Sequence, residues 1–506
     1  MNYLIGIDIG TSGTKTVLFN ELGDVICDAL IEYPMYQPHN GWAEQLPSDW
    51  WQAVSGTLQQ VMGKSGIDPS QIRGIGLSGQ MHGLVMLDEK DQVIRPAIIW
   101  CDQRTAKECV EITEKVGAAR LIEITANPAL TGFTASKILW VRNNEPENYA
   151  RCRKILLPKD YIRLMLTGEY ATEVSDASGM QLLDIGGRCW SDEVLQKLEI
   201  DKSLLAPVFE SIQVSGQVSS SAAAITGLKA GIPVVGGAGD NAAAAVGTGV
   251  VSDRQAFTTI GSSGVVYAHT SKMHIDPAGR VHTFCCAVPG CWHVMGVTQG
   301  AGLSLKWFRD NLCQSEMETA AQMGVSPYYL MDMEAQKAPI GSNRLLFLPY
   351  MMGERTPHLD PDCRGVFFGL SAMHQKRDMI RAVLEGVSFS LRDCLEVISG
   401  MDTPIDVMRA CGGGAGPLWR KMLADVYNCE VTTIASKEGP ALGVALLAGA
   451  GTGVYRSVEE ACSIAVLTKD TASPDAQSHH DYESYYQLYR SIYPSLKEHY
   501  KTLAKL

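Results

Sequence analysis

The chain has 506 residues, 46% hydrophobic and 19% charged, with a formal net charge of −12. This is a globular composition, with material for large cores and length for roughly two to four domains. The acidic balance, with no Lys/Arg run that could form a basic patch, argues against a nucleic-acid partner, and no uninterrupted apolar run is long enough to span a membrane.

In chain order, Tyr3 to Ile9, Thr16 to Phe19 and Val25 to Ile31 are apolar segments separated by Gly10-Thr11-Ser12-Gly13 and by Asn20 to Asp24. Both separators have turn chemistry, which predicts an antiparallel meander. Pro47-Ser48-Asp49 reads as a capped helix start, followed by Trp51, Val54, Leu58 and Val61 at helical spacing. Ile72 to Leu77 reads as a buried strand ending in Ser78-Gly79-Gln80-Met81-His82-Gly83. Helical patterns follow at 105–116, 136–142 and 161–166, so the class is α/β. Gly439 to Gly453 is small-residue rich and reads as a buried helix, and 476–506 as one helical stretch.

Half a chain after the first turn, Gly261-Ser262-Ser263-Gly264 sits between Ala256–Ile260 and Val265–Ala268 in the same strand-turn-strand setting. Two such hairpins suggest two copies of one lobe, each of roughly 250 residues. A turn of Gly, Thr and Ser offers backbone N–H groups and hydroxyls to an anion. It is not a P-loop, since the Gly-Lys-Ser/Thr ending is absent, nor a Rossmann fingerprint, since a strand follows it. Lys15 adds a nearby charge, and Asp8 a carboxylate where a polyphosphate's Mg2+ would anchor. A third cluster, Gly412 to Gly416, precedes a helix from about Leu418 to Tyr427, and Glu438 to Gly443 forms a fourth small-residue segment.

The 14 cysteines include no Cys-x-x-Cys pair. Cys285, Cys286 and Cys291 cluster, but no Cys or His partner stands at zinc spacing. Scattered cysteines in a long chain read as reduced and cytoplasmic, and Met1-Asn2-Tyr3-Leu4 lacks the basic start of a signal peptide.

Ile5 to Lys15 resembles the first phosphate motif of the FGGY carbohydrate kinases. Gly132 to Asn144 resembles one long signature of that family. A second starts at Gly365 to Leu370 and closes at Asp378 to Glu385. The likeness runs from residue 3 to about 450. It implies two actin-like (ribonuclease H-like, ASKHA) lobes, 1–250 and 251–506, with the active site in the cleft between them. It also implies ATP and Mg2+ as cofactors. Thr11, Ser12 and Lys15 would then meet phosphate in the first hairpin and Gly261 and Ser262 in the second. Gly302, Gly413 and Gly414 would lie by the nucleotide, and Asp8 would hold the metal.

Ser78 to Gly83, Trp100 to Arg104, Leu157 to Tyr161, Gly237 to Ala242 and Gly353 to His358 resemble the xylulose-phosphorylating branch, with Cys101 where a small polar residue is expected. That likeness implies D-xylulose as the small-molecule partner and leaves room for a homodimer. Asp240 becomes the general base that takes the hydroxyl proton, Met81 an apolar wall and His82 a hydroxyl partner, with Asn241 and Asp102 as secondary sugar candidates. Trp-x-Asp-x-Arg at 100–104 reads equally as a structural ion pair. Ribulose, gluconate or a related polyol is the rival substrate, and Met81-His82 argues against a glycerol-type site. An actin- or Hsp70-like binding protein shares the fold, but the helical end of the chain leaves no room for a peptide-binding domain.

Overall fold

The computed structural model describes residues 2–414 and 416–506; Met1 and, within the third glycine cluster, Ala415 lie outside them. The opening meander forms as its turns require: Tyr3–Ile9, Gly13–Asn20 and Val25–Glu32 pair antiparallel in succession. In the second turn the Asn20 carboxamide oxygen accepts the amides of Leu22 and Asp24. Ile72–Gly79 pairs in parallel on the other side of Tyr3–Ile9. Pro233–Val235 joins it in parallel, and Val214–Gln217 closes the edge antiparallel.

The second sheet repeats this plan. Gln255–Ile260 pairs antiparallel with Gly264–Thr270, which pairs antiparallel with Trp292–Thr298. On its other side Val407–Cys411 and Glu430–Ile434 run parallel and Thr468–Ala472 antiparallel. Spatial order and direction match strand for strand, so the half-chain repeat extends from two hairpins to two sheets; His282–Cys285 is an extra edge strand of the second. The chain is thus a two-lobed α/β protein with a mixed sheet in each lobe.

Helices cover the sheets where their apolar faces dictate. Pro47–Ser65 buries Trp50, Val54, Leu58 and Val61 against the first sheet. It starts on Pro47, whose fixed φ suits the first helical position; Leu46 is the N-cap and makes no side-chain bond, so the Ser48 cap expected from sequence does not form. The three helices expected next run Ala106–Val116, Thr134–Asn144 and Pro158–Thr167, with Ala118–Thr125 and Pro146–Arg151 as further helices between them. Lys376–Ser399 packs on the second sheet, and the chain ends with Ala476–Leu503.

Helix Gly439–Gly451, from the second half of the chain, lies on the first sheet and against helix Asp240–Gly247. The approach is backbone to backbone. A Cβ on Gly6 or Gly76 would stand 1.9 Å from the carbonyl oxygen of Ala441 or Val444, and one on Gly443 would stand 1.9 Å from that of Ala243. No described helix is long and apolar enough to cross a membrane.

Gly76→Ala therefore forces the helix off the sheet, an overpacking cost of about 1–3 kcal/mol. Its thermal midpoint is expected to fall by several degrees. Gly63→Ala, where nothing lies within 4 Å of the added carbon, is the control and should not fall. Equal midpoints for the two variants, measured by calorimetry, would show that the close approach is not limiting.

Candidate active site

In the first sheet the parallel strands Tyr3–Ile9, Ile72–Gly79 and Ala238–Gly239 end at one edge. Loops leaving the carboxyl ends of parallel strands are where α/β sheets bind ligands. Asp8 with the Thr11-Ser12 turn, Met81-His82, and Asp240-Asn241 leave from these three ends. The second sheet does the same with Gly261-Ser262 after Ile260 and Gly413-Gly414 after Cys411.

Asp240 begins helix Asp240–Gly247. One oxygen, Oδ1, accepts the Asn241 amide at 2.7 Å and the Asn241 Nδ2 at 3.0 Å, which aims the other outward. Burial first, and the Asp8 charge second, push its pKa up to about 6, where a carboxylate can take and return protons near neutrality. Asn241 thus orients Asp240 through its own carboxamide. The preceding residue is pinned from beneath: the Gly239 amide donates to Ser175 Oγ at 3.1 Å, and that hydroxyl donates to Glu173 at 2.9 Å. Glu173, Asp160 and Asp176 surround the buried Lys159 ammonium at 3.0–3.3 Å.

Asp8 lies at the end of the central strand, opposite Lys15 across the hairpin. Burial raises its pKa, with the Ser78 hydroxyl and then Lys15 opposing. Asp8 Oδ1 and the Ser78 hydroxyl are both buried without a well-formed hydrogen bond, leaving an acceptor that a hard cation would satisfy, which fits the metal role expected of Asp8. Lys15 itself is paired at 2.5 Å with Glu438, the N-cap of helix Gly439–Gly451. In this structure the hairpin's charge thus ties the two halves of the chain together. Thr11 Oγ1 accepts Trp100 Nε1 at 2.9 Å, while Ser12 is exposed.

His82 has a left-handed backbone, φ 68°, held where Thr134 Oγ1 and the buried Lys137 ammonium donate to its carbonyl at 3.1 and 2.8 Å. Its Nδ1 stands 2.9 Å from the Gly179 carbonyl. A carbonyl only accepts, so Nδ1 carries the proton and Nε2 keeps a lone pair. Burial, with the Lys137 charge, drives its pKa down to about 3, so the ring is neutral. It stacks near Phe133, with centroids 4.8 Å apart. Met81 is buried between Gly179 and Gly239. His82 lines a cavity of about 640 Å³ whose other wall carries Gln299, Glu354 and Arg355 from the second half of the chain.

A second cavity, of about 300 Å³, gathers Gly261, Ser262, Gly302, Gly413 and Gly414 with Tyr328, Asp332 and Trp419. Gly302 N–H donates to the Gly261 carbonyl at 2.8 Å, and a Cβ on Gly302 would stand 2.4 Å from that oxygen. Gly302 therefore closes the helix start Ala301–Leu312 onto the second hairpin, rather than offering its amide to a ligand.

Asp102 corrects the sequence expectation. It is 0% exposed. The Arg104 guanidinium grips its carboxylate, at 2.6 Å for the nearest pair, and the Ala43 amide donates to it at 2.6 Å. Arg104 is stacked on Trp42 at 3.7 Å. No acceptor is left for a sugar, and the Trp-x-Asp-x-Arg segment is a structural ion pair. Sequence reasoning assigned no role to Lys137, Glu354 or Arg355. Their segments stood out as motifs, but nothing local says which side chain is buried. Glu354, raised to about 7 by burial, accepts from Thr298 at 2.6 Å and from the Gln299 and Arg355 amides. Arg355 shares the cavity wall, makes no direct ion pair among the described residues, and feels the charge of adjacent Glu354.

The model for the FGGY family of carbohydrate kinases, N-terminal domain, matches residues 3–247, and that for the C-terminal domain matches 256–452. A xylulose kinase of Bacillus subtilis is 38% identical, with 98% of each chain covered, and a gluconokinase of the same organism is 33% identical, covering 99% of this chain and 98% of that one. The crystal structure of a "xyloylose kinase" from Brucella ovis superimposes with TM-score 0.91 at 36% identity, covering 98% of this chain and 100% of the other.

Carbon-detected NMR titration of the Asp240 carboxyl is expected to show a midpoint near about 6. Removing the like charge with Asp8→Asn should lower it. A midpoint unmoved by that substitution would take Asp8 out of the electrostatics of Asp240.

Proposed function

The chain belongs to the FGGY family of carbohydrate kinases and is a sugar kinase; from that premise we propose that it transfers the γ-phosphoryl group of ATP to D-xylulose, giving D-xylulose 5-phosphate. The observation that carries the mechanism is Asp240, a carboxylate at a strand end with one oxygen tied back by Asn241 and a pKa near about 6. A sugar hydroxyl is a poor nucleophile at neutral pH. Asp240 takes its proton as the oxygen attacks phosphorus, a contribution of about 10²–10⁴ in rate. Neutral His82 accepts a second hydroxyl at Nε2, and Met81 gives the sugar's carbon face an apolar wall. The pull of Asn241 on Asp240 is positional and makes no demand on the sugar.

Phosphoryl transfer otherwise rests on positioning and charge. The hairpins at Thr11-Ser12 and Gly261-Ser262 flank the phosphates, with Lys15 exchanging Glu438 for phosphate. Gly302, Gly413 and Gly414 border the adenosine. Asp8 holds Mg2+, which supplies charge neutralisation for the phosphate oxygens when bound. We divide these tasks near residue 250, between the two family matches: the first lobe carries sugar, base and metal, and the second carries the nucleotide.

One observation favours a second reading. Arg355 lines the cavity with no direct ion pair among the described residues, only the charge of adjacent Glu354 reaching it, which suits a sugar acid, and a gluconokinase is among the relatives.

An ADP-release assay across D-xylulose, D-ribulose and gluconate is expected to give the highest kcat/KM with D-xylulose. Higher kcat/KM with gluconate or ribulose would overturn the assignment. Asp240→Asn should lower kcat by at least about 10² with MgATP affinity kept within a few-fold; retained turnover would remove Asp240 as base.

A further inference from the structure

Cys285, Cys286 and Cys291 have no part in the cleft, yet Cys286 meets a histidine of a neighbouring strand. Strands His282–Cys285 and Trp292–Thr298 pair antiparallel with Cys285 opposite Trp292. One step along the hairpin Cys286 stands opposite Cys291, and the Cys286 amide donates to the Cys291 carbonyl at 3.1 Å. Opposed residues on an antiparallel pair keep their Cα atoms about 4.5–5.5 Å apart, inside the span of about 4.4–6.8 Å that a disulfide bridges. The Cys286 thiol donates to the Val288 carbonyl at 3.5 Å. His269, on the neighbouring strand Gly264–Thr270, brings Nδ1 to 3.7 Å from Cys286 Sγ.

The two sulfurs have unequal surroundings. Cys286 is 1% exposed, in the apolar cluster that includes Ala242 and Val246 of helix Asp240–Gly247. Burial pushes its thiol up and keeps it protonated. Cys291 is half-buried beside the exposed turn at Pro289 and Gly290. The neighbouring Cys286 thiol first and then His269, with the Arg188 charge, hold its thiol below the ordinary range. Arg188 Nη1 donates to the Cys291 carbonyl at 2.9 Å and pairs with Glu210 at 2.7 Å. The inner thiol therefore resists ionisation and the accessible one favours it.

We propose that the accessible Cys291 is a hydroperoxide-reactive cysteine and the buried Cys286 its resolving partner, so that the hairpin closes as a Cys286–Cys291 disulfide. The Cys291 sulfur attacks one peroxide oxygen and the O–O bond breaks. The leaving oxygen departs as hydroxide and is protonated to water, and Cys291 becomes a sulfenic acid. The Cys286 sulfur then attacks that sulfur, the S–O bond breaks, and the departing hydroxide leaves as water with the Cys286 proton. One hydrogen peroxide is reduced to two waters while two thiols are oxidised to one disulfide.

The test treats the full chain with hydrogen peroxide and maps its peptides without reductant. The expected product is a peptide lacking the mass of two hydrogens, with fragmentation assigning the link to Cys286 and Cys291 rather than Cys285. In Cys286→Ser, dimedone should trap a sulfenic acid at Cys291 about ten-fold faster than at the exposed Cys189. Limited iodoacetamide labelling of the unsubstituted protein at neutral pH gives the same ranking without any variant. A link at other cysteines, no link, or Cys291 reacting no faster than Cys189 would overturn the proposal.

Discussion

The structure depends on one close approach. Helix Gly439–Gly451 rests on the first sheet through Gly6 and Gly76 and on helix Asp240–Gly247 through Gly443, with carbonyl oxygens where side chains would otherwise stand. Packing at that distance is possible only when no Cβ intervenes, and it makes the second half of the chain part of the first half's core. The helix starts that result are functional positions. Asp240 opens one of the two helices and Glu438 caps the other, within reach of Asp8 and Lys15 in the first hairpin.

That placement sets the electrostatics. Asp8 and Asp240 are carboxylates withdrawn from water near each other, and each is raised chiefly by burial. Such an arrangement disfavours charge until something cationic arrives, which is the condition a metal- and phosphate-binding edge needs. Around it the protein supplies fixed groups rather than mobile ones. Ser175 holds Gly239, Asn241 holds Asp240, and Gly179 and Lys137 hold His82. Catalysis by positioning requires such support beneath the groups that touch substrate.

Much of this was legible in the residues. The meander, both hairpins, the strand leading to Met81-His82 and the glycine cluster before Pro417–Tyr427 announce themselves because turns need glycine and small polar residues locally. The half-chain repeat was visible only as two four-residue turns; the sheets show it extends through six strands each. Helix starts were less legible. Ser48 follows a proline and looks like a cap, but the proline itself opens the helix. Asp102 read as either a sugar ligand or an ion-pair member, and burial against Trp42 and Arg104 decided for the pair.

By itself, then, the sequence determined what is decided within a few residues: where the chain turns, which strands are buried, and which loops can cradle an anion. The tertiary structure alone decided which charges are dehydrated and which distant groups meet. Lys15 paired with Glu438, and Arg355 lining one cavity with His82, join segments far apart in the chain, and His269 meets Cys286 from a neighbouring strand. The pKa of Asp240 belongs to the same class. A carboxylate's proton affinity is set by the solvent it loses and the charges packed around it, and neither is fixed until folding sets Asp8 and Asp240, far apart in the chain, at the ends of strands flanking Ile72–Gly79.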